Sequence, residues 1–341
     1  MDETIVVIGG GTMGAGIAVV AAQAGFDVAL VEPDESAYAR IRAYLAKSAE
    51  RANDPGILER VRIVAELGSS VSRSGERREY TRAELAIEAV PERLDLKRSV
   101  FSRLAAELPP DALLATNTSS LSVGEIAEGV PGPERVIGLH FFNPPPAMKL
   151  VEIVHGDLTS GEALERARRY VERFGKVGVL AADTPGFIVN RVARPFYLQA
   201  MRALERGEAS VKGIDAAARD AGFRMGPFEL MDFIGLDVNL ATSESVYERT
   251  KVERFAPVAM QRKLVAEGHL GRKTGRGFYD YTNSPAAHDS ETDAAAARVI
   301  ETMVASIIDE ARMLVQEGVA SAENVNTAMQ LGVHYPERVR I

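Results

Sequence analysis

The chain has 341 residues, 46% hydrophobic and 26% charged, an ordinary globular mix that excludes wholesale disorder and suffices for two or three domains. Its 48 acids outnumber 40 lysines and arginines for a net charge of −8, so it lacks the basic surface that general nucleic-acid binding requires. There is no cysteine, which excludes a disulfide scaffold, a thiolate metal site and a cysteine nucleophile and suits a reducing cytoplasm. No apolar run reaches the ~18 residues of a membrane span. The acidic start Met1-Asp2-Glu3-Thr4 does not read as a secretory signal. A cytoplasmic protein with no membrane or nucleic-acid partner is the expectation.

In chain order, Ile5–Ile8 and Val28–Val31 are short apolar runs of strand length. They are followed by Leu85–Val90, Leu113–Thr116, Val136–Leu139, Leu150–Val154 and Val177–Leu180, with helical stretches between them. Continuous rather than alternating apolar runs predict strands buried on both faces. The alternation with helices predicts a doubly wound, mostly parallel α/β sheet over residues 1–184. The polar, arginine-rich stretch Gly68–Arg82 reads as an exposed loop. Asp183-Thr184-Pro185-Gly186 ends the rhythm, and apolar residues then recur at helical spacing, as in Ile188, Val192, Phe196 and Ala200. An all-α domain over 185–283 is predicted, then a Ser-, Pro- and Asp-rich linker at Asn283–Asp293, then a last helical segment within 294–341.

That tail repeats part of what precedes it. Ala200–Ser210 is echoed by Ala311–Ser321, and Ile214-Asp215 by Val325-Asn326, at a constant offset of 111. At this offset Asn190 is matched by Glu301 and Arg191 by Thr302, so the second copy keeps an apolar stripe (Ile300, Val304, Ile307, Ile308, Ala311, Leu314, Val315) without the polar residues of the first. Such a stripe must be covered, which predicts that the tail packs on the 185–283 domain, within one chain or across a dimer.

Three groups of residues carry chemistry. Gly9-Gly10-Gly11-Thr12-Met13-Gly14 fits G-x-G-x-x-G between a strand and a helix, where Gly9, Gly11 and Gly14 allow close approach to a pyrophosphate and the helix N-terminus supplies free N–H groups. Glu32, 23 positions after Gly9, ends the second strand, where an acid can hold ribose hydroxyls; no arginine nearby greets a 2′-phosphate, which favours NAD. His140, at the end of a strand, can accept a proton near neutral pH. Glu152 lies inside the next apolar run and needs a partner there. It either fixes the imidazole tautomer, as in a triad, or forms an isolated salt bridge. In Asn117-Thr118-Ser119-Ser120, one serine is expected to cap the next helix and the other to donate to a substrate oxygen. No metal-ligand spacing is visible.

Together these residues resemble the short-chain L-3-hydroxyacyl-CoA dehydrogenases of fatty-acid β-oxidation and butyrate metabolism, over about residues 3–281. The likeness runs through Gly9–Gly16, Glu88-Ala89-Val90-Pro91-Glu92, Asn117–Leu121, His140–Pro144, Met148–Glu152, Asp183–Arg191, Gly226–Leu230 and Gly271–Tyr279. It implies a Rossmann-like domain followed by an all-α domain, NAD as cofactor, an acyl-CoA thioester as substrate, and a homodimer formed through the helical domain. His140 would be the general base and Glu152 its partner, with Ser119 and Asn190 binding the reacting oxygens. The cofactor would touch Gly9, Gly11, Gly14, Glu32, Glu92, Lys97, Ser119, Asn143 and Lys273. Ser48 matches a coenzyme A contact; a family lysine falls near Pro55 and is lost, with Lys47 or Arg51 as electrostatic substitutes. The gulonate and carnitine dehydrogenases are similar over both domains but tend to lack the Phe141-Phe142 and Met148–Glu152 neighbourhood. A non-catalytic NAD-binding protein would have lost His140 or Glu152, and both are present.

Overall fold

A computed structural model describes residues 3–67, 82–282 and 294–341. The predicted loop up to residue 81 and the predicted linker at 283–293 lie outside the described residues. The chain forms two compact units, Met1–Thr184 and Pro185–Ile341, and the tail belongs to the second.

The first unit is one eight-stranded sheet. Its strands are β1 (Thr4–Ile8), β2 (Asp27–Val31), β3 (Val61–Val64), β4 (Leu85–Glu88), β5 (Leu113–Thr116), β6 (Val136–Phe141), β7 (Leu150–His155) and β8 (Val177–Ala182), in the order β3-β2-β1-β4-β5-β6-β7-β8. All neighbours are parallel except β6 and β7. Seven strands were expected. The additional one, β3, is a sheet-edge strand whose Arg62 is exposed, so its run is neither continuous nor fully buried. The helices are α1 (Thr12–Gln23), α2 (Tyr38–Ala52), α3 (Gly56–Arg60), α4 (Leu94–Glu107), α5 (Val123–Ala127) and α6 (Gly161–Arg173). Helix α1 is apolar nearly all round and buried from Gly14 to Ala22. Strand order reverses between β1 and β4, and the carboxyl ends of strands beside such a switch point are where open α/β sheets bind ligands.

The second unit contains α7 (Val189–Val192), α8 (Arg194–Glu205), α9 (Val211–Asp220), α10 (Pro227–Ile234), α11 (Leu236–Thr250), α12 (Ala259–Ala266), α13 (Ala294–Gln316) and α14 (Ala322–Val333). The repeat is visible in its backbone. Gly207 and Gly318 both end a helix at positive φ (66° and 73°). Three residues later Ser210 and Ser321 each accept a bond from the third residue on, Gly213 N at 3.0 Å and Asn324 N at 3.2 Å. Helix α13 packs in cis against α8 and α9, and α14 against α7. The buried stripe of α13 is Ile300, Met303, Val304, Ile307, Ala311 and Leu314, with Ile308 and Val315 at its margin and Glu310 buried among it. No helix among the described residues is long and apolar enough to cross a membrane.

Candidate active site

The glycine loop leaves room for a dinucleotide. A β-carbon on Gly14 would lie 1.8 Å from the Gly9 carbonyl oxygen, and one on Gly9 would lie 2.8 Å from the Ala89 carbonyl, so helix and loop close tightly against β4. A β-carbon on Gly11, at the N-cap of α1, would meet nothing within 4 Å, and no side chain caps this helix. With no side-chain cap to take its first-turn N–H groups, this helix end suits a pyrophosphate. Glu32 extends from the end of β2 to this loop, where its Oε2 accepts from Gly10 N at 2.9 Å and its Oε1 from Asp34 N at 3.0 Å. A negative charge held here suits ribose hydroxyls and opposes a phosphate. The residues present fit NAD.

Glu92 gathers the next loops. Its Oε1 accepts from Thr118 Oγ1 (2.5 Å), Ser119 N (3.0 Å), Ser120 N (3.1 Å) and Ser120 Oγ (2.9 Å), while its Oε2 lies 3.1 Å from Lys97 Nζ. Partial burial raises the pKa of Glu92, but Lys97 and these donors outweigh it and hold the carboxyl below its usual range. Lys97 is only 1% exposed and also pairs with the buried Glu88 at 2.7 Å, whose other oxygen accepts from Thr116 Oγ1. Lys97 thus supports Glu92 rather than presenting its own surface. The half-buried Ser119 is placed by its backbone on Glu92. The cap of α5 is Ser122, not Ser119 or Ser120, because α5 begins at Val123 and Ser122 is the residue directly before it; the Ser120 hydroxyl is bonded to Glu92 instead.

His140 and Glu152 lie directly opposite each other in the antiparallel β6–β7 pair, and His140 Nδ1 is 2.6 Å from Glu152 Oε2. His140 lies within β6, one residue before its end, with the Phe142 ring 4.6 Å from its own. Both members are buried, Glu152 completely. Asn117 Oδ1 accepts from Phe141 N at 2.9 Å, tying the Ser119 loop to the histidine strand. The loop between β6 and β7 carries the exposed Asn143. Lys176 Nζ donates to its carbonyls at Pro145 (2.7 Å) and Met148 (2.8 Å), and burial lowers this ammonium's pKa. Pro145 also abuts α1, where a β-carbon on Gly16 would lie 2.8 Å from its ring.

The remaining expected residues lie on other elements. Ser48 lies half-buried on α2 and donates to Tyr44 O at 2.8 Å, with Lys47 and Arg51 exposed on the same helix. In the second unit, half-buried Asn190 lies on α7, and Lys273 Nζ pairs with Asp237 at 2.6 and 2.7 Å. The motif Gly271–Tyr279 is pinned from within that unit. Buried Asp232 accepts from Phe278 N, Tyr279 N and Tyr281 Oη, and buried Asp215 accepts from Phe228 N, Glu229 N and Tyr279 Oη. Sequence reading missed Glu88 as the hub behind Glu92. The signal was present, an acid within the apolar run Leu85–Val90 that must be paired if buried. Among the described residues no group of three His, Asp or Glu could hold a metal ion.

Comparison with known proteins gives this geometry its setting. Residues 4–184 match the model of the 3-hydroxyacyl-CoA dehydrogenase NAD binding domain, and residues 186–281 that of the 3-hydroxyacyl-CoA dehydrogenase C-terminal domain. The chain is 47% identical over 292 residues to the 3-hydroxyadipyl-CoA dehydrogenase of Escherichia coli (strain K12), covering 82% of this chain and 59% of that protein's length. It is 40% identical over 284 residues to the mitochondrial hydroxyacyl-coenzyme A dehydrogenase of Sus scrofa, covering 81% and 90%. The crystal structure of 3-hydroxybutyryl-CoA dehydrogenase from Escherichia coli K12 superposes with a TM-score of 0.87 at 35% identity, covering 98% of this chain and 90% of that one. Because both domain models match in chain order and together span most of the sequence, this chain belongs to the 3-hydroxyacyl-CoA dehydrogenase family of NAD-dependent oxidoreductases.

Proposed function

We propose that this chain reversibly oxidises the 3-hydroxyl of a 3-hydroxyacyl-CoA to the 3-oxoacyl thioester, with His140 as general base and Glu152 as its partner. The observation that carries the reading is the 2.6 Å contact between His140 Nδ1 and Glu152 Oε2 across β6 and β7. A carboxylate there fixes which ring nitrogen carries the resting proton and stabilises the imidazolium. With Nδ1 engaged by Glu152, Nε2 is the atom assigned to the hydroxyl proton. In reverse, the histidinium returns that proton to the developing alkoxide.

Gly9, Gly11, Gly14 and Glu32 would hold the dinucleotide, with Glu92 and Asn143 supporting its nicotinamide end. Bound NAD supplies the acceptor for the C3 hydride. Ser119 is proposed to donate to a substrate oxygen; the bond from its N–H to Glu92, which leaves the hydroxyl out of that contact, supports this. Asn190 is proposed as a further hydrogen-bond partner of the substrate, and Ser48 as a contact of the coenzyme A tail. Helix α13 covers α8 and α9 in cis, so a homodimer through the helical unit would use another face of that unit. The test is spectrophotometric: NAD reduction with a panel of 3-hydroxyacyl-CoA thioesters, beside gulonate and carnitine. Turnover of a thioester supports the reading; turnover confined to gulonate or carnitine overturns it.

A further inference from the structure

Asn190 sits on α7, a helix of four residues. Isolated helices shorter than ~12–15 residues have little stability of their own, so the position of α7 is set by what its side chains hold. Beside its buried Val189 and Val192, two buried guanidinium groups take part, Arg191 on α7 itself and Arg194 at the start of α8. Arg194 donates from Nε back to the Asn190 carbonyl at 2.8 Å, and from Nη1 to Asn239 O at 3.3 Å and Ser243 Oγ at 3.1 Å. Arg191, next to Asn190, donates from Nε to Glu310 Oε1 at 2.7 Å and from its two terminal nitrogens to Glu317 at 2.6 and 3.0 Å. Both of these carboxylates come from the tail. Glu310 is fully buried and accepts further bonds from Arg254, at 2.6 and 3.3 Å. Removing one member of such a buried charge cluster leaves another uncompensated, which is strongly unfavourable.

The internal repeat supplies a comparison within one molecule. The positions 111 before Glu310 and Glu317 are Gln199 and Arg206, and the position 111 after Arg191 is Thr302. Gln199, Arg206 and Thr302 line an open cleft of about 520 Å³; Gln199 donates to Ser306 and Arg206 pairs with its neighbour Glu208, so among the described residues no carboxylate of the other copy meets an arginine there. The two copies therefore share caps and an apolar seam, but the carboxylates are placed on the Asn190 side. Packing of the seam alone does not call for that asymmetry.

We propose that Glu310, backed by Glu317, is a positioning residue of the dehydrogenase: through Arg191 it holds α7 and so sets the Asn190 side chain for the substrate. This inference rests on the reading of Asn190 as a substrate partner. The tail is then part of the substrate-binding machinery rather than only a cover.

The experiment uses the full-length protein with NAD and a turned-over 3-hydroxyacyl-CoA, measuring kcat, both KM values and the unfolding temperature. Glu310→Gln is expected to lower kcat by about tenfold or more, with the KM for NAD changed by less than about twofold. In the Asn190→Ala background the same substitution is expected to cost less than about twofold, since no amide remains to be misplaced. The double variant Arg191→Met/Glu310→Met, which removes the charges together, is expected to regain unfolding temperature without regaining kcat. Glu310→Gln with parental kcat, an equal loss in both backgrounds, or a kcat that returns with thermal stability in the double variant overturns the positioning role. Full turnover by Asn190→Ala overturns the reading of Asn190 itself, and the inference with it. An impaired Asn190→Ala beside an unimpaired Glu310→Gln removes the inference alone.

Discussion

Glu152 faces His140 across the antiparallel β6–β7 pair, its Oε2 2.6 Å from the imidazole Nδ1, and both side chains are buried. Residues directly opposite on one sheet face hold their side chains close without a long or flexible reach, so backbone pairing itself sets this contact. His140→Gln is expected to lower kcat by about 10²–10⁴, the usual range for loss of a general base, while NAD binding measured by fluorescence titration persists. Glu152→Gln is expected to be severely impaired as well, because the charge that balances the imidazolium is gone. Near-parental turnover by His140→Gln would remove the active-site assignment.

The second expectation concerns cofactor choice. Glu32 is bonded to the glycine loop through Gly10 N, so if that loop holds the dinucleotide as proposed, its charge would oppose a 2′-phosphate. Two unit charges ~4 Å apart at an effective dielectric near 20 interact by about 4 kcal/mol, an upper bound for a partly solvated site. A preference for NAD over NADP of roughly 10- to 10³-fold in kcat/KM is expected, reduced in Glu32→Ala. Steady-state kinetics with both cofactors decides it; equal efficiency with NADP runs against it.

Two glycines of one loop should separate folding from cofactor binding. Gly14→Ala would put a β-carbon 1.8 Å from the Gly9 carbonyl oxygen, backbone that cannot turn aside, and is expected to lower both the unfolding temperature and NAD affinity. Gly11→Ala meets nothing within 4 Å and should fold normally, yet its methyl group enters the space assigned to the pyrophosphate. Thermal unfolding with and without NAD checks both. A Gly11→Ala variant that binds NAD as the parent does would move the cofactor elsewhere.

Asp215 makes one interaction measurable through pH. Burial pushes its carboxyl up to about 6, against the pull of Tyr279 and the N–H groups of Phe228 and Glu229. An unfolded aspartate titrates near 3.9, so between about pH 4 and 6 the folded chain keeps a proton that the unfolded chain has lost. The stability contributed by Asp215 therefore falls as pH rises through that window. Asp215→Asn does not titrate, so its stability deficit relative to the parent is expected to shrink by up to about 3 kcal/mol from pH 4 to pH 7. Denaturant unfolding at both pH values tests this, and a deficit that grows with pH contradicts it.

The sequence by itself determined the class of fold and the family, and it singled out the residues to which the chemistry is assigned. Runs such as Ile5–Ile8 and Leu113–Thr116 are short, nearly all apolar and alternate with helical stretches, which favours strands covered on both faces, and Gly9–Gly14 after a strand carries its own physical reason. His140 and Glu152 were legible because each is a polar residue in an apolar run. The repeat was legible because a glycine that ends a helix and a serine that caps the next recur at one offset. Tertiary structure decided the rest. That β7 runs antiparallel to β6, bringing Glu152 opposite His140, depends on chain direction in the sheet, which apolar content does not encode. Glu88 became the hub behind Glu92 only when α4 brought Lys97 over the end of β4. Arg191 meets Glu310 across 119 positions of sequence, because burying the apolar face of α13 carries a carboxylate to the helix of Asn190. Partners that distant leave no periodicity in the chain; they exist only once the burial of apolar surface has set where the helices lie.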